Sequence, residues 1–216
     1  MTFTTSIEYV AQEFRADSQF SFSKSYNVAP TQMVPVVTSK DGKHRELSLK
    51  RWGLIPPWAR EISIGNHMIN ARSETLAEKP SFKTAYQTQR CIVPVSGFYE
   101  WDKEGGTKQP YYFYPGHKDI LALAGLWESW EDPNQLVESF TIVTTSANDF
   151  MRPIHDRMPV IIQPDYYEQW LNCREYPGQD VGHLLKAAPN DELLSHPVSK
   201  FVNSPTNNSW KCINKI

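Results

Sequence analysis

RCIVPVSGFYEW, running from Arg90 to Trp101, is the stretch from which the fold is read. Residues 91–95 form an apolar run, Ser96-Gly97 is a turn signal, and residues 98–101 resume as a second strand-like run. A lone carboxylate, Glu100, stands among Phe98, Tyr99 and Trp101. If those rings shield it from water, the charged form is disfavoured and Glu100 becomes a proton donor near neutral pH. If the strand turns it outward, it is an ordinary solvated glutamate. The stretch alone leaves both readings open.

The flanking sequence extends the pattern in both directions. Downstream, the polar residues 102–108 predict a hairpin loop. Residues 110–114, 120–127 and 140–145 are rich in Val, Ile, Tyr and Phe between Gly, Pro or Asn breaks, which predicts strands. Upstream, Phe82, Ala85 and Tyr86 share one stripe of a predicted helix over 81–89, with Ser81 as its N-cap. Residues 33–37 and 46–52 predict a hairpin around Asp41-Gly42. Ile7, Val10, Ala11 and Phe14 predict a short amphipathic helix capped by Thr4, Thr5 or Ser6. Toward the end, a helix opened by Pro164 should turn Tyr166, Tyr167, Trp170 and Leu171 inward. Residues 184–188 suggest another short helix, and residues 196–208 a loop-rich edge segment. Short strands separated by turns, with helices only at intervals, predict an α+β class: a β-rich single domain over 1–216, its mainly antiparallel sheet barrel-like or sandwich-like, with peripheral short helices.

Composition bounds the function. The chain has 216 residues, 40% hydrophobic, enough for a substantial core. Cys91, Cys173 and Cys212 are odd in number and widely spaced, which suggests neither a disulfide framework nor a metal cluster and fits a reducing, cytoplasmic setting. No apolar run approaches the roughly 18 residues that span a bilayer, so no membrane association is expected. Net charge is −2, yet residues 40–90 hold ten Lys or Arg against five Asp or Glu. That local excess suits either a phosphate backbone or a charge-mixed surface. No Walker loop, dinucleotide fingerprint, nucleophile elbow or HExxH occurs, and no cofactor or metal is called for.

Several smaller motifs carry chemistry. WGLIPPW, residues 52–58, is a rigid aromatic loop, either a core plug or a base-stacking platform that includes Trp52. In INARSET, residues 69–75, Asn70 and Arg72 share a face if extended and could hold a polar or anionic ligand; alternatively Arg72 pairs with Glu74. In IHDRMPV, His155 lies beside Asp156 and near Arg157, so its charge can be tuned; a structural histidine bonded to a backbone carbonyl is the alternative. Asn27 and Pro30 bracket an extended, turn-prone segment.

Taken in order, YNVAPTQ, WGLIPPW, INARSET, RCIVPVSGFYEW, IHDRMPV and HPVS, spread from Tyr26 to Ser199, closely resemble the motif series of the SOS-response-associated peptidase (SRAP) family. The resemblance implies a monomeric DNA-damage-response protein that binds single-stranded DNA and traps abasic sites. An N-terminal cysteine, unmasked by self-removal of the initiator methionine, closes a thiazolidine with the ring-opened sugar aldehyde. By motif, it casts Glu100 as the proton-transfer group, His155 as its assistant and Asn70 as the residue that positions the sugar or the amine. Arg72 and Arg157 would then meet DNA, with Trp52, Trp101, Asn27 and Pro30 shaping its channel. The chain departs from the family at its start, where Met1-Thr2-Phe3-Thr4 stands in place of Met-Cys-Gly-Arg-Phe ahead of a Thr-rich helix start. The expectation is a native start that includes Cys-Gly-Arg-Phe; the alternative is a variant that binds DNA without crosslinking it. Cys91, inside an apolar strand, is read as packing.

Overall fold

A computed structural model describes residues 1–102 and 108–216. The first helix, α1 (Ile7–Phe14), is capped by Ser6, whose Oγ accepts the Tyr9 N–H at 3.2 Å, and it ends at Arg15 in the left-handed region (φ 49°). Ile7, Val10 and Phe14 are its buried stripe. There follow β1 (Ala16–Ser18), β2 (Met33–Thr38), β3 (Arg45–Trp52), β4 (Asn70–Arg72), α2 (Lys83–Thr88), β5 (Arg90–Val95), β6 (Phe98–Trp101) and β7 (Pro110–Pro115). The chain then runs through β8 (Leu121–Asp132), β9 (Gln135–Ser146), β10 (Arg157–Pro159), α3 (Tyr167–Leu171) and β11 (Leu193–Pro197).

Strands β3, β2, β5, β8 and β9 are antiparallel neighbours in that order, and a parallel contact between β3 and β9 closes them into a mixed barrel. β5 is buried on both faces. Cys91, Val93 and Val95 join Val34, Val36, Leu123 and Phe140 in one core, while Ile92 meets Ala122, Ala124 and the residues of α1 and α3 in another. This double burial explains why β5 reads as a continuous apolar run rather than an alternating one. Gly125 allows the barrel strands to close up, since a Cβ there would lie 2.8 Å from Cys91 Sγ.

Two features place the site. Beyond Ile142, β9 is left by β8 and flanked instead by β4 on one edge and β10 on the other, with Arg72 opposite Thr144 and Arg157 opposite Ser146. The Ser96-Gly97 turn then carries the chain out of the barrel into a second antiparallel sheet, β6–β7–β11.

Several local expectations need correction. α2 starts at Lys83 and Ser81 makes no cap: the Phe82 and Lys83 N–H groups donate to Lys79 O at 2.9 Å, so a backbone turn does that work. The helix expected over 184–188 does not form: a 3₁₀ segment, Gly178–Leu184, ends at its first residue, residues 185–188 are not helical, Pro189 disfavours a helical Ala188, and the Asn148 amide donates to the Ala188 carbonyl at 3.0 Å. Tyr166 is 43% exposed while Tyr167, Trp170 and Leu171 are buried. The β8–β9 hairpin runs well past the predicted strand ends, because Glu128 to Asp132 continue the ladder, and the polar Glu128, Ser129, Glu131 and Asp132 around the buried Trp130 escape an apolar criterion. The loop expected at 102–108 falls largely outside the described residues.

Candidate active site

The nine residues singled out from the sequence converge on one cavity of about 590 Å³. Asn70 and Arg72 come from β4, with Ala71 between them buried against β9, so a three-residue strand places both on one exposed face. Glu100 and Trp101 come from β6, His155 from the turn before β10, Arg157 from the start of β10, Trp52 from the end of β3, and Asn27 and Pro30 from the segment before β2. Met1, Thr144, Asn203 and Pro205 also line the cavity and were not singled out. The tail residues carried no signal beyond a loop-forming composition.

Glu100 and His155 face each other across the floor, with Glu100 Oε2 3.8 Å from His155 Nε2 and side chains 27% and 18% exposed. Glu100 is thus neither solvated nor sealed. The other imidazole nitrogen, Nδ1, lies 3.0 Å from the Arg157 N–H and 3.4 Å from Asp156 Oδ1. Neighbouring β6 residues fix the strand: the Tyr99 hydroxyl donates to Tyr26 O at 2.6 Å, and Trp101 Nε1 donates to Asn203 Oδ1 at 2.8 Å. Burial pushes the Tyr99 hydroxyl well above its ordinary pKa, so it serves as a neutral donor.

The remaining candidates divide by how they are occupied. Asn27 is committed to the fold: its Nδ2 donates to the carbonyls of Val202, Ser204 and Asn207, pinning the tail loop that walls the cavity. Trp52 donates from Nε1 to Ile69 O at 3.0 Å and keeps a ring edge in the cavity, whereas Trp58, at the far end of the same loop, is 58% exposed. Leu54 and Ile55 are that loop's buried plug, and Gly53 makes the sharp turn possible at φ 118°, where a Cβ would sit 2.4 Å from Gly65 O. Arg157 holds Glu74 through two hydrogen bonds of 2.6 and 2.9 Å, so Glu74 does not pair with Arg72. Arg72 is exposed and has no ion-pair partner among the described residues.

Met1 lines the same cavity, and the residues after it are fastened by hydrogen bonds. Thr2 N–H donates to Gly97 O at 2.8 Å, Thr2 Oγ1 shares a 2.9 Å hydrogen bond with the buried Tyr112 hydroxyl, and Ser96 Oγ accepts the Thr4 N–H. The Met1 amine donates to Val28 O at 3.1 Å; burial lowers its pKa to about 5, with the charge of Glu100 acting in the opposite direction. Cys91 is fully buried and its thiol is pushed upward, so it is inert packing. Among the described residues, no group of three His, Cys, Asp or Glu side chains is placed to hold a metal ion.

The cavity of the mixed barrel thus gathers a Glu–His pair, an Asn-x-Arg strand and aromatic side chains. A family profile described as SOS response associated peptidase (SRAP) matches residues 1–205, and the chain belongs to that family. The chain is 39% identical over 217 residues to "Abasic site processing protein YoqW" of Bacillus subtilis, covering 98% of this chain and 96% of that one. It is 35% identical to "Abasic site processing protein HMCES" of Xenopus tropicalis, covering 90% of this chain and 67% of that one. A crystal structure of a protein from Bacteroides thetaiotaomicron superposes with a TM-score of 0.90 at 29% identity, covering 100% of this chain and 98% of that one.

Proposed function

We propose that this protein processes abasic sites in single-stranded DNA, with Glu100 and His155 moving protons at the sugar aldehyde. The observation that carries the reading is the Glu100–His155 pair in one cavity with Asn70, with Arg72, which has no ion-pair partner among the described residues, at hand for a phosphate. Condensation of an amine with an aldehyde requires an acid to protonate the departing hydroxyl as water leaves, and a half-shielded carboxylate beside an imidazole supplies one. Asn70 offers an amide donor and a carbonyl acceptor to hold the sugar hydroxyl or the attacking amine. In the reaction implied by family membership, the thiol of an N-terminal cysteine then adds to the imine carbon and its proton passes to nitrogen, closing a thiazolidine without any redox change. The same Glu100 would act in releasing an initiator methionine ahead of that cysteine. Because Met1 lines this cavity, residues inserted between it and Thr2 would lengthen the chain at the cavity.

The test is a version of the chain with Cys-Gly-Arg-Phe inserted after the initiator methionine, incubated with single-stranded DNA carrying an abasic site. A covalent adduct stable to denaturing electrophoresis is expected, and intact DNA without adduct overturns the reading. A second reading, a non-catalytic single-stranded DNA binding module, is favoured by the exposed Arg72 in the cavity lining and the basic excess over residues 40–90. It predicts salt-sensitive binding that Glu100→Ala leaves unchanged, and no adduct under any condition.

A further inference from the structure

We propose that Glu74 is a positioning residue for His155: by holding the Arg157 side chain it keeps the imidazole proton on Nε2, facing Glu100. The inference rests on the reading of Glu100 and His155 as the proton-transfer pair.

The ladder between β9 and β10 sets which way the Arg157 backbone faces. The Ala147 N–H donates to Asp156 O, and the Val160 N–H to Val143 O, both at 2.9 Å. Hydrogen-bonded and non-bonded pairs alternate in an antiparallel ladder, so Arg157, opposite Ser146, falls at a non-bonded position and its N–H points away from β9. There it meets His155 Nδ1 at 3.0 Å. A backbone N–H can only donate, so Nδ1 accepts and the proton of the neutral ring lies on Nε2, 3.8 Å from Glu100 Oε2. Two nearby oxygens favour the opposite tautomer: Arg157 O at 3.1 Å and Asp156 Oδ1 at 3.4 Å from Nδ1. The balance therefore depends on how firmly the Arg157 backbone is held.

It is held by its own guanidinium. Nη1 donates to Glu74 Oε1 at 2.6 Å; Nη2 donates to Glu74 Oε2 at 2.9 Å and to Thr144 O at 2.6 Å. Glu74 follows β4 directly, so the two-pronged contact ties β4 to β10 across β9. The Glu74 side chain is 48% exposed, and exposed ion pairs add little to stability. Its removal should leave the fold intact, which separates a positioning role from a structural one.

The test compares the wild-type chain, Glu74→Ala and Glu74→Gln. Nitrogen-15 NMR of the histidine rings is expected to show His155 protonated on Nε2 in the wild type and a mixture of tautomers in Glu74→Ala. Arg157→Lys should likewise give a mixture of tautomers, because an ammonium cannot bridge both carboxylate oxygens as the guanidinium does. In the cysteine-extended chain, the limiting rate of adduct formation should fall about tenfold in Glu74→Ala with the affinity for abasic DNA unchanged, the scale on which loss of an orienting partner acts. An unchanged tautomer overturns the proposal. So does an altered DNA affinity and salt slope at an unchanged limiting rate, which would make Glu74 a restraint on a phosphate-binding Arg157. If the cysteine-extended chain with Glu74 intact forms no adduct, the proposed function fails while the NMR comparison still decides this point.

Discussion

RCIVPVSGFYEW is shared between two sheets, and its halves treat their polar groups in opposite ways. In the barrel half, Arg90 is 1% exposed, and its guanidinium donates to the carbonyls of Trp170, Tyr86 and Tyr176 at 2.7, 2.9 and 2.5 Å. Cys91 beside it is sealed, and its carbonyl accepts the Trp170 indole N–H at 2.8 Å. In the half beyond Gly97, Glu100 and Trp101 are only half-buried and border a cavity. Arg90, held by three backbone carbonyls, ties the fold together. Glu100, 3.8 Å from an imidazole and bordering a cavity, is placed for chemistry. Burial alone does not set the role of two such charges; what surrounds each of them does.

Predictions follow by size. Glu100→Gln should lower the rate of abasic-site adduct formation by about 10²–10⁴-fold, the range for losing a general acid–base group, with an unchanged melting temperature. Arg90→Met should do the reverse. Three buried carbonyls lose a charged donor, so urea unfolding should report about 3 kcal/mol of destabilisation, with activity per folded molecule retained.

A pH effect belongs to the barrel half as well. Glu128, 4% exposed, lies beside Gln89, and burial pushes its pKa up to about 7, opposed by a Gln89 hydrogen bond. A folded-state pKa above the unfolded value means that the native state binds the proton more tightly. Its stabilising contribution is full below about pH 4.5 and is lost as pH rises through 7, amounting to ~3 kcal/mol at most. Glu128→Gln should remove that slope from unfolding curves measured between pH 4.5 and 8. The smallest effect is expected at the cavity wall: Arg72→Ala should weaken single-stranded DNA binding across sequences and reduce the slope of log K against log salt by about 1. An unchanged slope would remove Arg72 from the DNA path.

Much of this was legible before the fold. The β5 run, the Ser96-Gly97 turn, the β2–β3 hairpin and the α1 stripe follow from periodicity and turn chemistry, because each is decided by contacts near in sequence. The motif series brought Asn70, Glu100 and His155 to attention, and the fold sets them around one cavity. What could not be read is what distant segments do to one another. Glu74 reads as a partner for Arg72, two residues away, but β9 places Arg157 within its reach. Asn27 reads as a channel residue, and nothing local says that its amide is consumed by a loop some 175 residues downstream. The parallel contact of Arg51 and Trp52 with Ser139 and Phe140, which closes the barrel, likewise leaves no mark on either strand's pattern.

The most direct test compares the cysteine-extended chain with its Glu100→Gln variant on a single-stranded oligonucleotide carrying one abasic site, following covalent adduct on a denaturing gel over time. The account predicts rapid adduct formation in the first and a rate at least about a hundredfold lower in the second, at equal DNA affinity. Equal rates in both would contradict it, because the half of the stretch that lies outside the barrel would then carry no chemistry.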